Sequence, residues 1–342
     1  MIKKGQTATL RLLAQKLNIH VSTVSRVLNG TDADAVKAAS QSTIARIRLL
    51  AAEYDYKPNP HAICLRKKQS KLVGVLVPRL SDYIWASVYE GIEGAALDEG
   101  YCAYVTNSHE EKECQRRQVE LAEARRVDGL VLGDACNTPE AIEALGRLAL
   151  PFVLVLRRAG DFLSVTGDDY QGGRMAARHL FERGHREVGV IAGETYVLTG
   201  QERTAGFIDF YREAGFPVAP ERIVHSTFDP RGGRESAQRL LGGHRSLTGL
   251  FVVSDMVAIG AMGAMRDIDV VPGHSMALVG YNDTPLTAEL PVPLTTLRPP
   301  LRKIGERAMG VLLRHLQGEP CCSERLPPEL VIRESSSFEG RL

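Results

Sequence analysis

No run of this 342-residue chain approaches the ~20 consecutive apolar residues that a membrane helix needs. Its first residues, Met-Ile-Lys-Lys-Gly-Gln-Thr, are basic but lack the apolar core of an export signal. Cysteine is sparse, with six residues at 64, 102, 114, 136, 321 and 322, and the only close pair is adjacent. That spacing fits neither a disulfide framework nor a zinc site, so reduced thiols in a cytoplasmic protein are expected. Catalytic signatures are missing too. No Gly-x-Gly-x-x-Gly follows a strand pattern, and neither a phosphate loop nor a Gly-x-Ser-x-Gly elbow occurs. His179 and Glu182 stand at i, i+3 with His185 nearby, a pattern that surface neighbours on a helix show more often than metal ligands. We expect no enzyme activity, no metal and no cofactor.

What is present is an uneven charge. Residues 1–71 carry 13 Lys and Arg against 4 Asp and Glu, a balance of +9, while residues 72–342 carry 29 against 37, a balance of −8. A basic module on an acidic body suggests a polyanionic partner for the module alone, although basic tails also serve only solubility. Leu10, Leu13, Ala14 and Leu17 predict a helix over 10–17, and Asn18-Ile19-His20 breaks it. A second helix runs from Val21 to about Leu28 and stops at Asn29-Gly30. Two short helices joined by three residues form a helix-turn-helix unit, whose second helix enters the major groove. Val24, Val27 and Leu28 turn inward, which leaves Val21, Ser22, Ser25, Arg26 and Asn29 outward. Arg26 is the strongest base reader of these, because a guanidinium pairs with guanine through two bonds. The same pattern also fits a plain hairpin with a solvated face. A third helix, from Ser40 through Tyr54, closes the small core after a loop over Thr31–Ala39.

From Leu72 onward, strand-like runs alternate with amphipathic helices, which predicts parallel sheets covered by helices on both faces. There are too many strands for one sheet, so two lobes are expected, with the chain crossing near 157–169 and again near 282–300. Two such lobes without catalytic signatures suggest a cleft for a small ligand at the carboxyl ends of the strands.

Thr9-Leu10, Leu13-Ala14, Thr23-Val-Ser-Arg-Val-Leu-Asn-Gly30 and Tyr56-Lys-Pro-Asn59 together resemble the lactose/galactose-repressor (LacI/GalR) family of bacterial transcriptional regulators. In the body, Gly167-Asp-Asp-Tyr-Gln-Gly-Gly-Arg174, Gly184-His-Arg-Glu-Val188, Arg203-Thr-Ala-Gly-Phe207, Ser254-Asp-Met-Val-Ala-Ile-Gly-Ala261, Val279-Gly-Tyr-Asn-Asp283 and Pro293-Leu-Thr-Thr296 extend the likeness, which spans about residues 9–335. The turn Asn18-Ile19-His20, Arg11 and the longer loop over Thr31–Ala39 depart from the family pattern.

The resemblance implies an α/β fold: an N-terminal three-helix helix-turn-helix domain (1–58), a hinge helix and linker (59–71), a two-lobed periplasmic-binding-protein-like body (72–335), and a tail (336–342). We assign the lobes to about 72–165 plus 283–298, and 166–282 plus 299–335. It also implies that Val21, Ser22 and Arg26 read bases, and that Thr9, Ser25, Asn29 and Asn59 grip phosphates. In the hinge, Ala62 and Leu65 would meet the minor groove, with Leu65 as an apolar wedge. By family position, Trp85, Gln171, Arg203, Ser254 and Asn282 would line an effector site. Each has a plainer reading: Trp85 as core, Arg203 as a helix-surface residue. Asp255 and Asp283 read as helix or turn caps, and Arg157-Arg158 as meeting an anionic ligand group or, the preferred reading, only solvent.

The expected function is therefore a repressor that binds a palindromic operator as a homodimer, with a small polar effector, a sugar or sugar derivative, controlling it. The alternative is a solute-binding receptor without DNA activity. The end of the chain, Glu334 to Leu342, shows no heptads, so a dimer is expected rather than a tetramer.

Overall fold

Apolar residues at helical spacing form short helices that bury one stripe each at the N-terminus. These are α1 (Leu10–Leu17), α2 (Val21–Asn29), α3 (Asp32–Ala38) and α4 (Gln41–Glu53). The structure, a computed structural model, describes residues 8–57, 69–244 and 246–337, and Lys71 and Leu72 mark the division between two units. Leu13, Ala14, Val24, Val27, Ala35, Ile44, Ile47 and Ala51 make the core of the first unit. The segment expected as a loop over Thr31–Ala39 is instead largely the helix α3. Thr31 accepts from Asp34 N at 3.1 Å and Asp34 accepts from Thr31 N at 3.0 Å, a reciprocal cap that lets seven residues hold a helix. Ala35 then packs into the core, so the domain has four helices among its described residues rather than three.

Two six-stranded sheets organise the second unit. The first contains β1 (Leu72–Val77), β2 (Cys102–Asn107), β3 (Gly129–Leu132), β4 (Phe152–Val155), β5 (Ser164–Gly167) and β11 (Glu324–Leu326), in the order β11-β5-β4-β3-β1-β2. All its pairings are parallel, with Val75 opposite both Val105 and Val131. The second contains β6 (Val188–Ala192), β7 (Ile223–His225), β8 (Gly249–Val252), β9 (Ala277–Tyr281), β10 (Thr295–Arg298) and β12 (Glu329–Val331), in the order β12-β10-β9-β8-β6-β7. Only β12 runs antiparallel there, against β10.

The strands read as continuous apolar runs because both faces are covered. Val73, Val75 and Val77 point into one core with α5 (Tyr83–Asp98) and α12 (Leu301–Leu316), through Val88, Ile92, Ile304 and Leu312. Leu72 and Leu76 point the other way, toward α6 (Lys112–Ala124) and α7 (Pro139–Gly146). In the second lobe, Val188, Val190 and Ala192 meet α8 (Asp169–Glu182) and α9 (Leu198–Glu213). Ile191 and Val252 face α10 (Pro230–Gly243) and α11 (Asp255–Arg266).

The lobe boundaries expected toward the end of the chain are reversed. Residues 295–298 form β10 and pair with β9 of the second lobe, so 283–298 does not belong to the first. Helix α12 and strand β11, assigned to the second lobe, instead pack on and pair with the first sheet. The physical reason is the apolar stripe of α12, Ile304, Ala308 and Leu312, which fills the valine face of β1, β3 and β4. The chain therefore passes between lobes three times: after Gly167, after Arg298 and after Leu326.

Candidate functional site

In the first unit the caps set the geometry of the outward face. Thr9 caps α1, its hydroxyl accepting from Leu12 N at 3.2 Å. Asn18 takes a left-handed conformation, φ 52°, and closes the turn. His20 caps α2 with its ring: its Nδ1 accepts from Ser22 N at 3.2 Å, with Ser22 Oγ 2.7 Å from the same nitrogen. Val24 and Val27 are buried, Ser22 and Arg26 are exposed, and Val21, Ser25 and Asn29 are half-buried on the open side. Thr9 is exposed as well. Asn59, Ala62 and Leu65 lie outside the described residues. Replacing His20 by Ala should remove the cap and cost about 1 kcal/mol, whereas His20→Ser should keep it. Thermal denaturation of the full chain would read this as an earlier transition of the N-terminal unit for the alanine variant only.

In the second unit a cavity of about 210 Å³ opens between the carboxyl ends of the two sheets. Trp85, Arg203, Ser254 and Asn282 line it, and Gln171 does not. Gln171 is half-buried in the first turn of α8, where its N–H donates to Asp168 Oδ1 at 3.0 Å. Trp85, 7% exposed, is both wall and core: it belongs to the apolar cluster under α5, and its six-membered ring rests on Gly133.

Arg203 is placed by a helix crossing. A Cβ on Gly173 of α8 would fall 1.9 Å from Arg203 O, and one on Gly206 of α9 would fall 2.0 Å from Tyr170 O. Only glycine permits that approach, which brings Arg203 beside Asp169. Its Nε donates to Asp169 Oδ1 at 2.7 Å, its Nη1 donates to Val253 O at 2.8 Å, and the guanidinium lies 3.7 Å over the Tyr281 ring. Burial pushes the Asp169 carboxyl above its ordinary range, and the neighbouring guanidinium opposes that shift. Arg203 is therefore a buried, paired group and not a surface residue of its helix.

Ser254 precedes α11 but makes no capping bond with its side chain. Asn282 follows β9 at φ 119°, 3% exposed, and its Oδ1 has no hydrogen-bond partner among the described residues. A buried amide oxygen held in a rarely populated backbone conformation at a cavity wall points to a ligand that supplies the donor. Asp255 is a tether: its Oδ2 accepts from Thr284 N at 2.8 Å and its Oδ1 from Thr296 Oγ1 at 2.7 Å. Asp283 pairs with Arg298 at 2.5 Å and Arg333 at 2.7 Å. Arg157 and Arg158 are half-buried and paired rather than free in solvent. Arg157 pairs with Glu110 at 2.6 Å, and Arg158 pairs with Glu202 across the two lobes.

Residues without an assigned role in the sequence also line the cavity, among them Asp82, Glu110, Asp169, Glu194 and Asp229. Asp82, three residues before the tryptophan, carries a helix-cap signal, and its Oδ1 does accept from Ile84 N at 3.1 Å. Asp229, just before Pro230, carries the same kind of signal and accepts from Gly232 N at 2.9 Å, while nothing in the local pattern marks Glu194.

Residues 177–336 match the periplasmic binding protein-like domain family. Over 335 residues, 96% of the chain is 27% identical to 98% of the HTH-type transcriptional repressor PurR of Actinobacillus pleuropneumoniae. The PurR of Yersinia pestis is 29% identical over 338 residues, 96% of each chain. The lac repressor dimer, solved bound to operator and the anti-inducer ONPF, is similar at TM-score 0.85 and 25% identity, over 96% of this chain and 99% of that one. A putative ribose operon repressor from Burkholderia thailandensis is 30% identical over 77% of this chain and 99% of its own, at TM-score 0.69. The chain belongs to the lactose/galactose-repressor family. As a member it is a non-enzymatic transcriptional regulator, a repressor with a helix-turn-helix unit and an effector-binding body. No helix among the described residues is long and apolar enough to cross a membrane.

Proposed function

We propose that this LacI-family repressor binds a palindromic operator as a dimer, and that a small polar effector in the cleft, a sugar or sugar derivative, changes its operator affinity. The observation that carries the effector reading is Asn282: a buried amide oxygen without a partner among the described residues, in one cavity between lobes with Trp85 and with Ser254, whose side chain makes no capping bond. Val21, Ser22 and Arg26 then read bases, Thr9, Ser25, Asn29 and Asn59 hold phosphates, and Ala62 and Leu65 belong to a hinge against the minor groove. The effector residues are Trp85, Arg203, Ser254 and Asn282, with Gln171 outside that set. A two-fold dimer follows from contact area: one small unit gives too little surface for a specific site, and paired half-sites demand matching symmetry. The solved lac repressor dimer on its operator supports this by likeness.

Gel-shift assays on the promoter fragment beside the gene test the reading. Wild-type protein should retard that fragment specifically, and Arg26→Ala should weaken it by about 1–3 kcal/mol of base discrimination. Equal affinity of the wild type for scrambled DNA would sink the repressor reading.

A further inference from the structure

The walls of the cleft hold more hydrogen-bond acceptors than the protein uses. Five carboxylates line it against three guanidiniums, and two of those guanidiniums are committed. Arg157 is bound to Glu110 at 2.6 Å and Arg203 to Asp169 at 2.7 Å. Arg79, the remaining cation of the lining, is exposed at the rim. Asp82, Glu194 and Asp229 form no ion pair with Lys or Arg among the described residues. Asp82 accepts from Ile84 N at 3.1 Å and Glu194 from the Tyr196 hydroxyl at 3.1 Å, while Asp229, at the exposed start of α10, accepts from Gly232 N at 2.9 Å and also bonds the Thr227 hydroxyl and Arg231 N. The second oxygens of Asp82 and Glu194 remain as acceptors, and the buried Asn282 Oδ1 is a further acceptor with no donor among the described residues.

A ligand that fits must therefore bring donors and no negative charge. Resting on the effector reading above, we infer that the effector is a small polyhydroxylated amine, a hexosamine-like cation rather than a sugar phosphate or sugar acid. Its ammonium sits among the unpaired carboxylates, where the Trp85 indole adds a cation–π attraction, and a hydroxyl donates to Asn282. A second negative charge in the same space meets an uncompensated field in a partly desolvated site, which disfavours anions. The cavity, about 210 Å³, is smaller than the pockets that take drug-sized ligands and suits a single ring.

The test is isothermal titration of the full-length repressor at low salt with three matched pairs, glucosamine and glucose, galactosamine and galactose, mannosamine and mannose, together with glucose 6-phosphate. The inference expects the amine of at least one pair to bind about tenfold tighter than its neutral partner. Added salt should shrink that gap, and so should Asp82→Asn with Glu194→Gln, since Asn keeps the helix cap. A neutral hexose or the phosphate binding as tightly as any amine overturns the inference and leaves the effector cleft standing. An amine preference unmoved by both salt and the double variant also overturns it. If none of the seven sugars binds at millimolar concentration, the inference and the sugar-effector reading fall together.

Discussion

Arg203→Met should destabilise the body by about 3–5 kcal/mol at neutral pH, and effector response should vanish with it. The guanidinium is the counter-ion of Asp169, a carboxylate at the buried start of α8, and it also bonds Val253 O and covers the Tyr281 ring. Removing it leaves a buried charge without compensation, and that term dominates the loss of the contacts themselves. From its family position alone, an alanine at this residue is expected to abolish effector response and leave operator binding intact. As a buried ion-pair partner that is also the proposed effector contact, the residue loses both roles at once, so a single variant cannot separate them. The pair Arg203→Met with Asp169→Asn does: with the buried charge gone, most of the lost stability should return, measured by urea denaturation, while ligand response stays absent. Persistence of the full loss in the double variant would mean that packing on Tyr281, not charge pairing, is what Arg203 supplies.

The second large effect is a pH dependence at Asp255. Burial pushes its carboxyl up to about 6 from an ordinary 3.8, with Asp283 adding to the shift and its bonds from Thr296 and Thr284 opposing it. The folded protein thus holds a proton where the unfolded chain has lost it. This group favours folding fully below about pH 4, and the contribution disappears as pH rises through about 6. Up to about 3 kcal/mol is at stake. Asp255→Asn should remove the dependence, because an amide can accept from Thr284 N while its NH₂ donates to the Thr296 hydroxyl. Thermal midpoints of the wild type should fall relative to this variant between about pH 4 and pH 6, then run level. Parallel curves across that range would place the carboxyl's titration elsewhere. The same tether holds the start of α11 and the segment after β9, and hence Ser254 and Asn282, so ionisation of Asp255 acts on the effector wall.

Much of this was legible because the local signals were strong. The spacing of Leu10, Leu13, Ala14 and Leu17, and the runs at β1 and β6, fixed elements whose burial is dictated by their own pattern. The strands β5 and β10 were not legible, because Ser164-Val-Thr-Gly and Thr295-Thr-Leu-Arg carry few large apolar side chains. Their burial comes from neighbours distant in sequence. For the same reason, nothing local assigned α12 to the first sheet. Helix α3 went unseen because its strength lies in the reciprocal cap of Thr31 and Asp34 rather than in an apolar stripe. At the cleft, four residues given by family likeness line one cavity, while Gln171 faces elsewhere. The acidic half of the wall was not legible as a wall, since Asp82 and Asp229 read only as helix caps, Glu194 comes from a loop, and their meeting point is set by the folded sheets.

The proposed control requires a free-energy coupling between the cleft and the DNA-reading face, and linkage makes that coupling measurable from both ends. Operator affinity with and without saturating ligand, and ligand affinity with and without operator, should be determined on the same full-length protein by fluorescence anisotropy and titration. The account predicts that both affinities change by one common factor, about 5–150-fold. A ligand that fills the cleft and leaves operator affinity unchanged would contradict it.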